Sequence, residues 1–246
     1  MTNDDGIYSP GIYSLWKVAK EFGSVFVVAP DSQKSAVGQS ITISKPLFID
    51  KVTRENGFKG VSISGSPADC VKIGIKKILD TKPDLVLSGV NLGSNLGNNI
   101  IYSGTVAGAM EGAMQDIQSI AFSLDSFEPD SFKTSKIVIR KLIRLAIENE
   151  IFKKNVWNVN IPNCTVEELK GLKATDQGGQ YFEDDFDSRT DPKGNKYFWM
   201  TGEMIDNDKN FNSDSFAVKN NYASITPIGY HLSKLSEIQK IKDILL

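Results

Sequence analysis

Histidine, cysteine and long apolar runs are scarce in this sequence. Its 246 residues include one histidine, His231, and two cysteines, Cys70 and Cys164, which lie far apart and form no CxxC pair. The sequence therefore indicates neither a disulfide framework nor a zinc site, and it fits a reducing compartment. No apolar run approaches the ~20 residues that cross a bilayer, and no signal-peptide pattern opens the chain. We therefore expect a cytoplasmic protein.

An excess of charge of one sign is also missing. The formal net charge is −2, and no run of lysine and arginine stands out. Nucleic-acid polymers and anionic membranes are normally bound by clustered basic side chains, so we expect neither as a partner. Hydrophobic residues make up 40% of the chain and charged residues 24%, which is typical of a globular protein with a substantial core.

Several common catalytic and nucleotide-binding motifs are absent. No GxGxxG follows a strand and no GxxxxGK[ST] occurs, which argues against a dinucleotide-binding fold and a P-loop NTPase. A Ser-His-Asp hydrolase is disfavoured too, because a lone histidine in the tail, such as His231, is more often structural than a general base. Cys70 lies in a predicted helix, and we interpret it as a small buried apolar side chain.

Strand and helix patterns alternate as far as residue 162. Short β-branched runs without polar alternation are typical of strands covered on both faces, and segments with apolar residues at helical spacing separate them. This alternation predicts an α/β fold with a doubly wound, mostly parallel sheet. The predicted strands are 24–29, 60–63, 85–90, 120–124 and 156–161, with extended segments at 41–43 and 47–49, and the predicted helices are 10–22, 67–79, 136–147 and one that starts at 104.

The chain after residue 162 has a different composition. From 178 to 199 it carries six aromatic residues around a turn-like DPKG at 191–194, which suggests a long β-hairpin. We divide the chain into an α/β core, 1–162, and a C-terminal part, 163–246, within one functional domain. The other predicted elements of this part are a short helix at 213–219, a last strand at 222–225 and a terminal helix at 233–246.

The TNDDG segment at 2–6 suits the end of a strand. Aspartate and glycine are depleted in strand interiors, and Gly6 tolerates the positive φ of a turn. The adjacent carboxylates of Asp4 and Asp5 repel each other unless a cation sits between them. On these residues alone, an ordinary turn with solvated charges explains the pattern equally well.

Polar residues also follow the next two predicted strands, and they favour the metal interpretation. Ser35 lies in the loop after strand 24–29, and Asn91 directly follows strand 85–90. Loops at the carboxyl ends of parallel strands gather at one edge of the sheet, so these side chains are expected near the two aspartates. Carboxylate, hydroxyl and amide oxygens together suit a hard cation such as Mg²⁺, Mn²⁺ or Ca²⁺.

A second candidate site begins at the predicted start of a helix, with Ser103, Gly104 and Thr105. Free backbone N–H groups and a hydroxyl at such a position form a ready site for an anion such as phosphate. The alternative is a plain N-cap, followed by Gly108 and Gly112, which let the helix approach the sheet closely.

Six segments spread along the chain form a recognisable series of motifs. They are TNDDG (2–6), VVAPDSQKSAVGQS (27–40), GSPADCV (65–71), SGVNLGSNLG (88–97), YSGTVAGAMEGA (102–113) and SITPI (224–228). Together they resemble the successive motifs of the SurE family of survival-protein nucleotidases, and the resemblance covers most of the chain in the family's order. It departs from the family at the start, where only Met1 and Thr2 stand in place of a short apolar strand, and at GSPADC, where the family has GTPADC.

The resemblance implies a metal-dependent phosphatase that acts on nucleoside 5′- and 3′-monophosphates, and also on short polyphosphate. Its metal ligands carry over to Asp4, Asp5, Ser35 and Asn91, with one divalent cation per subunit, Mg²⁺ or Mn²⁺, or Ca²⁺ in crystals. We expect both aspartates to be catalytic and Asp4 to handle the nucleophile. The residues expected to bind substrate phosphate are Asn3, Asn95, Ser103, Gly104 and Thr105.

The resemblance also implies a homodimer or homotetramer, because the family exchanges C-terminal segments between subunits. The predicted hairpin within 178–199 is the segment that would be exchanged. The alternative is a monomer whose hairpin folds back onto its own subunit. For the function, the alternative to an enzyme is a non-catalytic sensor of metal or nucleotide with the same fold.

Overall fold

Strands and helices alternate along the chain in the computed structural model, which describes residues 1–149 and 155–245. The helix Pro67–Ile73 continues into one π-helical turn, Gly74–Ile78. The strands are β1 (Val27–Pro30), β2 (Ile49–Thr53), β3 (Lys59–Ile63), β4 (Leu85–Leu92), β5 (Gln118–Leu124), β6 (Val156–Ile161), β7 (Gly171–Ala174), β8 (Tyr181–Thr190), β9 (Lys196–Ile205) and β10 (Tyr222–Ile228). The helices are α1 (Pro10–Ala19), α2 (Pro67–Ile73), α3 (Gly104–Met114), α4 (Lys133–Glu148), α5 (Asp214–Lys219) and α6 (Leu235–Leu245).

Two residues at the start of the chain join a three-stranded and a five-stranded sheet into one layer, which we call the platform. The strands of one sheet have the order β2-β3-β1, and those of the other β4-β5-β6-β10-β7. Met1 and Thr2 lie between β1 and β4. The Val28 N–H donates to the Met1 carbonyl (2.9 Å), the Thr2 N–H donates to the Leu87 carbonyl (3.0 Å), and Thr2 pairs in parallel with Ser88. Met1 and Thr2 thus take the place of a central strand.

Most neighbouring strands run parallel. The pairs β1/β3, β4/β5, β5/β6 and β7/β10 are parallel, whereas β2/β3 and β6/β10 are antiparallel. Strands β7 and β10 come from the C-terminal part and extend the sheet beyond β6. The predicted mostly parallel α/β fold is confirmed.

Helices cover both faces of this platform. Phe122 of β5 is fully buried among Leu15 of α1 and Leu142 of α4. Its neighbour Ala121 packs with Val106 of α3, because successive side chains of a strand point to opposite faces. Helix α2 packs beside α3, and α1 beside α4. Among the described residues, no helix is long and apolar enough to cross a bilayer.

The segment 41–43, predicted to be extended, lies outside the strands. The Thr42 N–H and hydroxyl donate to the two carboxylate oxygens of Asp69, at 2.9 and 2.7 Å. A side chain therefore holds this segment, in place of the hydrogen bonds of a sheet, and Ile43 is left 85% exposed. The predicted antiparallel excursion is formed by β2 and β3.

Several other elements differ from the sequence prediction: α1 ends at Ala19 and not at residue 22, and β2 spans Ile49–Thr53 where 47–49 was predicted. Strand β1 begins at Val27 and not at residue 24. Strand β7 was not predicted, because its sequence GLKA has little of the β-branched or aromatic character that marks a strand. It forms by pairing with β10, a contact that the local sequence does not encode. The predicted terminal helix is α6, and its last predicted residue, 246, lies outside the described residues.

The predicted hairpin is confirmed, and it is longer than expected. Strands β8 and β9 pair from Tyr181 with Ile205 to Thr190 with Lys196. We call this hairpin, residues 181–205, the arm. Within the described part of the chain these two strands pair only with each other. Large apolar side chains of the arm are open to solvent, and Trp199 is 60% exposed.

Candidate active site

The first turn of the chain is fixed by Asn3. This residue is fully buried, and its Nδ2 donates to the Gly6 carbonyl (3.0 Å) and to the Ser9 hydroxyl (2.8 Å). Gly6 has a φ of +91°, which a residue with a β-carbon resists. The chain therefore turns sharply after Thr2, and the turn carries Asp4 and Asp5 at the carboxyl edge of the sheet.

Asp4 is held by the first turn of α3. Its Oδ1 accepts the Thr105 hydroxyl (2.6 Å) and its Oδ2 accepts the Thr105 N–H (3.1 Å). Gly104 allows this approach, since a β-carbon there would lie 2.8 Å from the Asp4 Cβ. Asp4 is 3% exposed. Burial raises the pKa of its carboxyl group, and the Thr105 hydrogen bonds act in the opposite direction.

Asp5 is more accessible than Asp4 and contacts a different loop. Its Oδ2 accepts the N–H of Leu92 at 3.3 Å. Burial, followed by the charge of Asp4, raises the pKa of Asp5 to about 6. Because Leu92 directly follows Asn91, this contact brings two of the four predicted ligands together.

The loop that carries Ser35 is tied to the same place. The Lys34 N–H donates to the Asp4 carbonyl (2.7 Å), and the Gly38 N–H donates to the Tyr102 carbonyl (2.9 Å). Ser35 is exposed, and its hydroxyl accepts a hydrogen bond from Gln33 Nε2 (2.9 Å). The loop thus runs between the aspartates and the start of α3.

Asn91 supplies an amide at the end of β4. It lies opposite Ser123 of β5, and its Nδ2 donates to the Gly93 carbonyl (2.7 Å). This hydrogen bond uses the amide nitrogen and leaves the Asn91 Oδ1 as the atom for a ligand. The structure therefore gathers the backbones of all four predicted ligands at one edge of the sheet.

The donor set fits a hard divalent cation. Its atoms are carboxylate, hydroxyl and amide oxygens, which Mg²⁺ and Mn²⁺ prefer. Burial raises the pKa of both carboxyl groups, and the charge of Asp4 raises that of Asp5 further, so a cation beside them would favour their ionised forms. In residues 1–149 and 155–245, no three His, Cys, Asp or Glu side chains lie close enough to bind a metal. The candidate site accordingly includes a serine and an asparagine.

The segment Ser103-Gly104-Thr105, the SGT motif, caps α3 and binds Asp4. The Ser103 hydroxyl accepts the Val106 N–H (3.1 Å), which confirms the N-cap alternative. Both donors of Thr105 go to Asp4. The positive end of α3 thus stabilises a carboxylate. Phosphate binding by Ser103, Gly104 and Thr105 stays a prediction.

Sequence reasoning missed the buried polar residues that surround Asn95. The Asn95 Nδ2 donates to the Ser123 hydroxyl (2.7 Å), and the side chains of Asn158 and Asn160 both donate to the Asn95 carbonyl. A signal was present, because asparagine is depleted in strand interiors and β6 carries two at alternate positions. Asp214, fully buried at the start of α5, was missed as well.

A cavity of about 520 Å³ lies at the other end of the sheet. It is bounded by the segment before β1, including Phe22 and Phe26, and by the start of β4 at Leu85. None of the predicted ligands lines it. The aspartate site at the carboxyl edge, which joins four loops, is therefore the candidate active site.

Known proteins resemble this chain along nearly its whole length. The family model described as Survival protein SurE matches residues 1–184. The 5′-nucleotidase SurE of Flavobacterium psychrophilum is 42% identical over 245 residues, which cover 99% of this chain and 95% of that protein. The 5′-nucleotidase SurE of Heliobacterium modesticaldum is 38% identical over 248 residues, or 99% and 90% of the two chains. The crystal structure of the SurE protein from Aquifex aeolicus matches with a TM-score of 0.85 and 41% identity, covering 100% of this chain and 98% of that one.

Proposed function

This chain belongs to the SurE family, and from that premise we propose that it is a 5′-nucleotidase. It is a phosphoric monoester hydrolase, and its substrates are nucleoside monophosphates. Water attacks the phosphorus atom, the ester P–O bond breaks, and the nucleoside leaves as an alcohol beside inorganic phosphate. This proposal rests on two hydrogen bonds, from the Lys34 N–H to the Asp4 carbonyl and from the Leu92 N–H to Asp5, which bring the loops of Ser35 and Asn91 to the two aspartates.

Nucleotidases of this family depend on a metal ion. We propose that Asp4, Asp5, Ser35 and Asn91 bind one Mg²⁺ or Mn²⁺ per subunit. Such an ion would polarise a phosphoryl oxygen and balance the charge that develops during transfer. The hydrogen bonds from Thr105 keep the Asp4 carboxylate in a fixed orientation for this purpose.

We further propose different roles for the two aspartates. Both oxygens of Asp4 accept hydrogen bonds from Thr105, and the residue is 3% exposed, which suits a fixed ligand. Asp5 is more open and accepts one hydrogen bond, from Leu92. We therefore assign proton transfer from the attacking water to Asp5, whereas the sequence alone had favoured Asp4.

The phosphate group is proposed to bind beside Asp4, at the positive end of α3. The N-terminal end of a helix favours anions, and the α3 backbone at Gly104 lies close to Asp4, because a β-carbon there would be 2.8 Å from the Asp4 Cβ. Asn3 and Asn95 stay in the proposed set because they brace the two loops that border this position. Activity on nucleoside 3′-monophosphates and short polyphosphate is implied by the family resemblance, and it stays a proposal.

A non-catalytic metal or nucleotide sensor is the less favoured function. The relatives of about 40% identity that span almost the whole chain are 5′-nucleotidases. The site also keeps two carboxylates in different environments, one fixed and one accessible, which binding alone does not require.

The arm is proposed to join subunits. A two-stranded hairpin alone is marginally stable in water, and exposed aromatic residues are enriched where proteins meet. Phe198 and Trp199 of the arm are about 60% exposed, and Ile244 of α6 is 82% exposed. We propose a homodimer or homotetramer in which the arm and α6 pack on a partner subunit.

Release of inorganic phosphate from AMP with Mn²⁺ tests the proposed function. We expect turnover by the wild-type protein and a loss of about 100-fold or more for Asp5→Asn, the usual scale for removing a general base. Asp187→Asn in the exposed arm is the matched control, and it should leave the rate unchanged. Binding of AMP and Mn²⁺ without phosphate release would favour the sensor instead.

A further inference from the structure

Buried side chains from distant parts of the chain hold the loop after Asn91. We call residues 91–97 the ligand loop, because it begins with the proposed ligand Asn91. Gly93 and Gly97 have φ values of +103° and +54°, so the loop turns sharply near both ends. Between these turns, Asn95 is 7% exposed. A loop with two glycine turns keeps one conformation only where other groups fix its backbone.

The first fixed point is a pair of hydrogen bonds from one side chain of β6. Asn160 Oδ1 accepts the backbone N–H of Asn95 (2.7 Å), and Asn160 Nδ2 donates to the backbone carbonyl of Asn95 (3.0 Å). The Asn160 carboxamide thus binds both the N–H and the carbonyl of Asn95, the two groups that a neighbouring strand would bind in a sheet. Asn158 Nδ2 donates to the same carbonyl at 2.9 Å. Both β6 asparagines are fully buried, so water does not compete for these hydrogen bonds.

The second fixed point is the carboxylate of Asp214, at the other end of the ligand loop. Asp214 is fully buried, and its Oδ2 accepts the Gly97 N–H at 3.1 Å. Its Oδ1 accepts the N–H groups of Gly178 (2.9 Å) and Ser215 (2.8 Å). The Gly97 carbonyl accepts Gln177 Nε2 (3.0 Å). One carboxylate therefore joins the end of the ligand loop to the segment that leads into the arm.

A backbone contact strengthens the same junction. The Asn98 N–H donates to the carbonyl of Gln180, the residue directly before the arm, at 2.7 Å. A β-carbon on Gly97 would lie 2.4 Å from that carbonyl oxygen. The root of the arm and the ligand loop thus lie against each other with no room for an added side-chain atom.

We propose that Asn160 and Asp214 are positioning residues that fix Asn91 for metal binding, and that Asp214 also links the ligand loop to the arm. This proposal rests on the proposed function of the site. Neither side chain contacts Asp4 or Asp5 in the described hydrogen bonds, so each acts through the backbone of the loop. Partners that orient metal ligands in this way typically change metal affinity by about 10- to 100-fold when removed.

Isosteric variants separate positioning from stability. Asp214→Asn replaces one acceptor oxygen by an NH₂ group, so it loses either the hydrogen bond from Gly97 or those from Gly178 and Ser215. Asn160→Asp places an oxygen against the Asn95 carbonyl. The matched control is Asp208→Asn, because Asp208 accepts the N–H of Gly179 (3.0 Å), next to Gly178, and within residues 1–149 and 155–245 it makes no hydrogen bond to the ligand loop.

The readouts are Mn²⁺ affinity measured by titration without nucleotide, kcat and KM for AMP, and the melting temperature. For Asp214→Asn and Asn160→Asp we expect Mn²⁺ affinity to fall about 10-fold, with a kcat close to wild type at saturating Mn²⁺. Asp208→Asn should bind Mn²⁺ as the wild type does. A lower melting temperature with unchanged Mn²⁺ affinity in both variants would overturn the proposal and leave these residues a purely structural role.

Two further results keep the test decisive. If Asn160→Asp does not fold, Asn160→Ser, which retains a hydroxyl at the site, takes its place with the same expectation. If the wild type binds Mn²⁺ but releases no phosphate, the proposed function fails, and the Mn²⁺ titrations still decide whether the two residues position the ligand loop.

Discussion

The Thr105 hydroxyl donates to Asp4 Oδ1 at 2.6 Å, across 101 positions of sequence. The Thr105 N–H donates to the other carboxylate oxygen, so a single residue at the start of α3 holds both oxygens of Asp4. Hydrogen bonds to a carboxylate favour its charged form and oppose the effect of burial. The start of α3 therefore holds the Asp4 carboxylate in one orientation and favours its charged form, which is the form that binds a cation.

Replacing Thr105 by valine tests this relationship. The variant keeps the shape of the side chain and the backbone N–H but removes the hydroxyl donor. The Asp4 carboxylate is then held less firmly, and loss of a group that orients a metal ligand typically weakens metal affinity by about 10- to 100-fold, so the Mn²⁺ concentration for half-maximal activity should rise by about 10-fold. Thr105→Ser keeps the hydroxyl and should stay close to wild type. Equal Mn²⁺ requirements for the valine and serine variants would contradict the assignment.

The second prediction concerns Gly104. A β-carbon at this position would lie 2.8 Å from the Asp4 Cβ and 3.2 Å from the Lys34 carbonyl oxygen. Gly104→Ala should therefore push α3 away from Asp4, lower the free energy of unfolding by about 1–3 kcal/mol and weaken Mn²⁺ activation. Denaturant unfolding and Mn²⁺-dependent phosphate release measure the two effects. Gly179→Ala is the control, because no atom lies within 4 Å of its added β-carbon.

The third prediction follows from the pKa of Asp5, which is raised from 3.8 to about 6. Between these two values the folded protein without metal binds more protons than the unfolded chain, so this group's contribution to stability falls as pH rises through that window. Bound metal requires the deprotonated carboxylate. Mn²⁺ affinity should therefore increase with pH through this window.

Melting temperatures in a chelating buffer at pH 5 and pH 7 check the sign. The wild type should lose more stability than Asp5→Asn between these pH values, because the asparagine does not titrate. Without the chelator, added Mn²⁺ should restore most of the stability that the wild type loses at pH 7. If the melting temperatures of wild type and variant changed equally with pH, the pKa of Asp5 would not be raised in the folded protein.

The sequence predicts the fold and the placement of the candidate ligands because both depend on local patterns. Strand β6 is a β-branched run, and its bounds, Val156–Ile161, were predicted as observed. Asp4 follows the Met1–Thr2 segment, Ser35 follows β1, and Asn91 lies at the end of β4, and parallel topology brings such positions together. Neither feature requires knowledge of a distant partner.

What the sequence does not reveal depends on pairings between distant residues. The SGT motif was interpreted as an anion site or an N-cap, yet both donors of Thr105 go to Asp4. The Asn160 side chain pairs with Asn95, 65 positions away. Strand β7 forms only because β10 lies beside it. Local propensity and spacing contain no record of these contacts.

The last prediction concerns assembly. Tyr181 and Ile205 pair directly at the base of the arm, so a short glycine-serine linker from Gln180 to Asp206 removes the arm without pulling on the platform. The wild type should scatter light as a dimer or tetramer of the 27.1 kDa chain at micromolar concentration, and the shortened protein should be a monomer. Lys193→Ser at the exposed turn of the arm is the control and should keep the wild-type mass. A wild-type mass near 27.1 kDa would contradict the proposed exchange, because the exposed Phe198 and Trp199 would then face water and not a partner subunit.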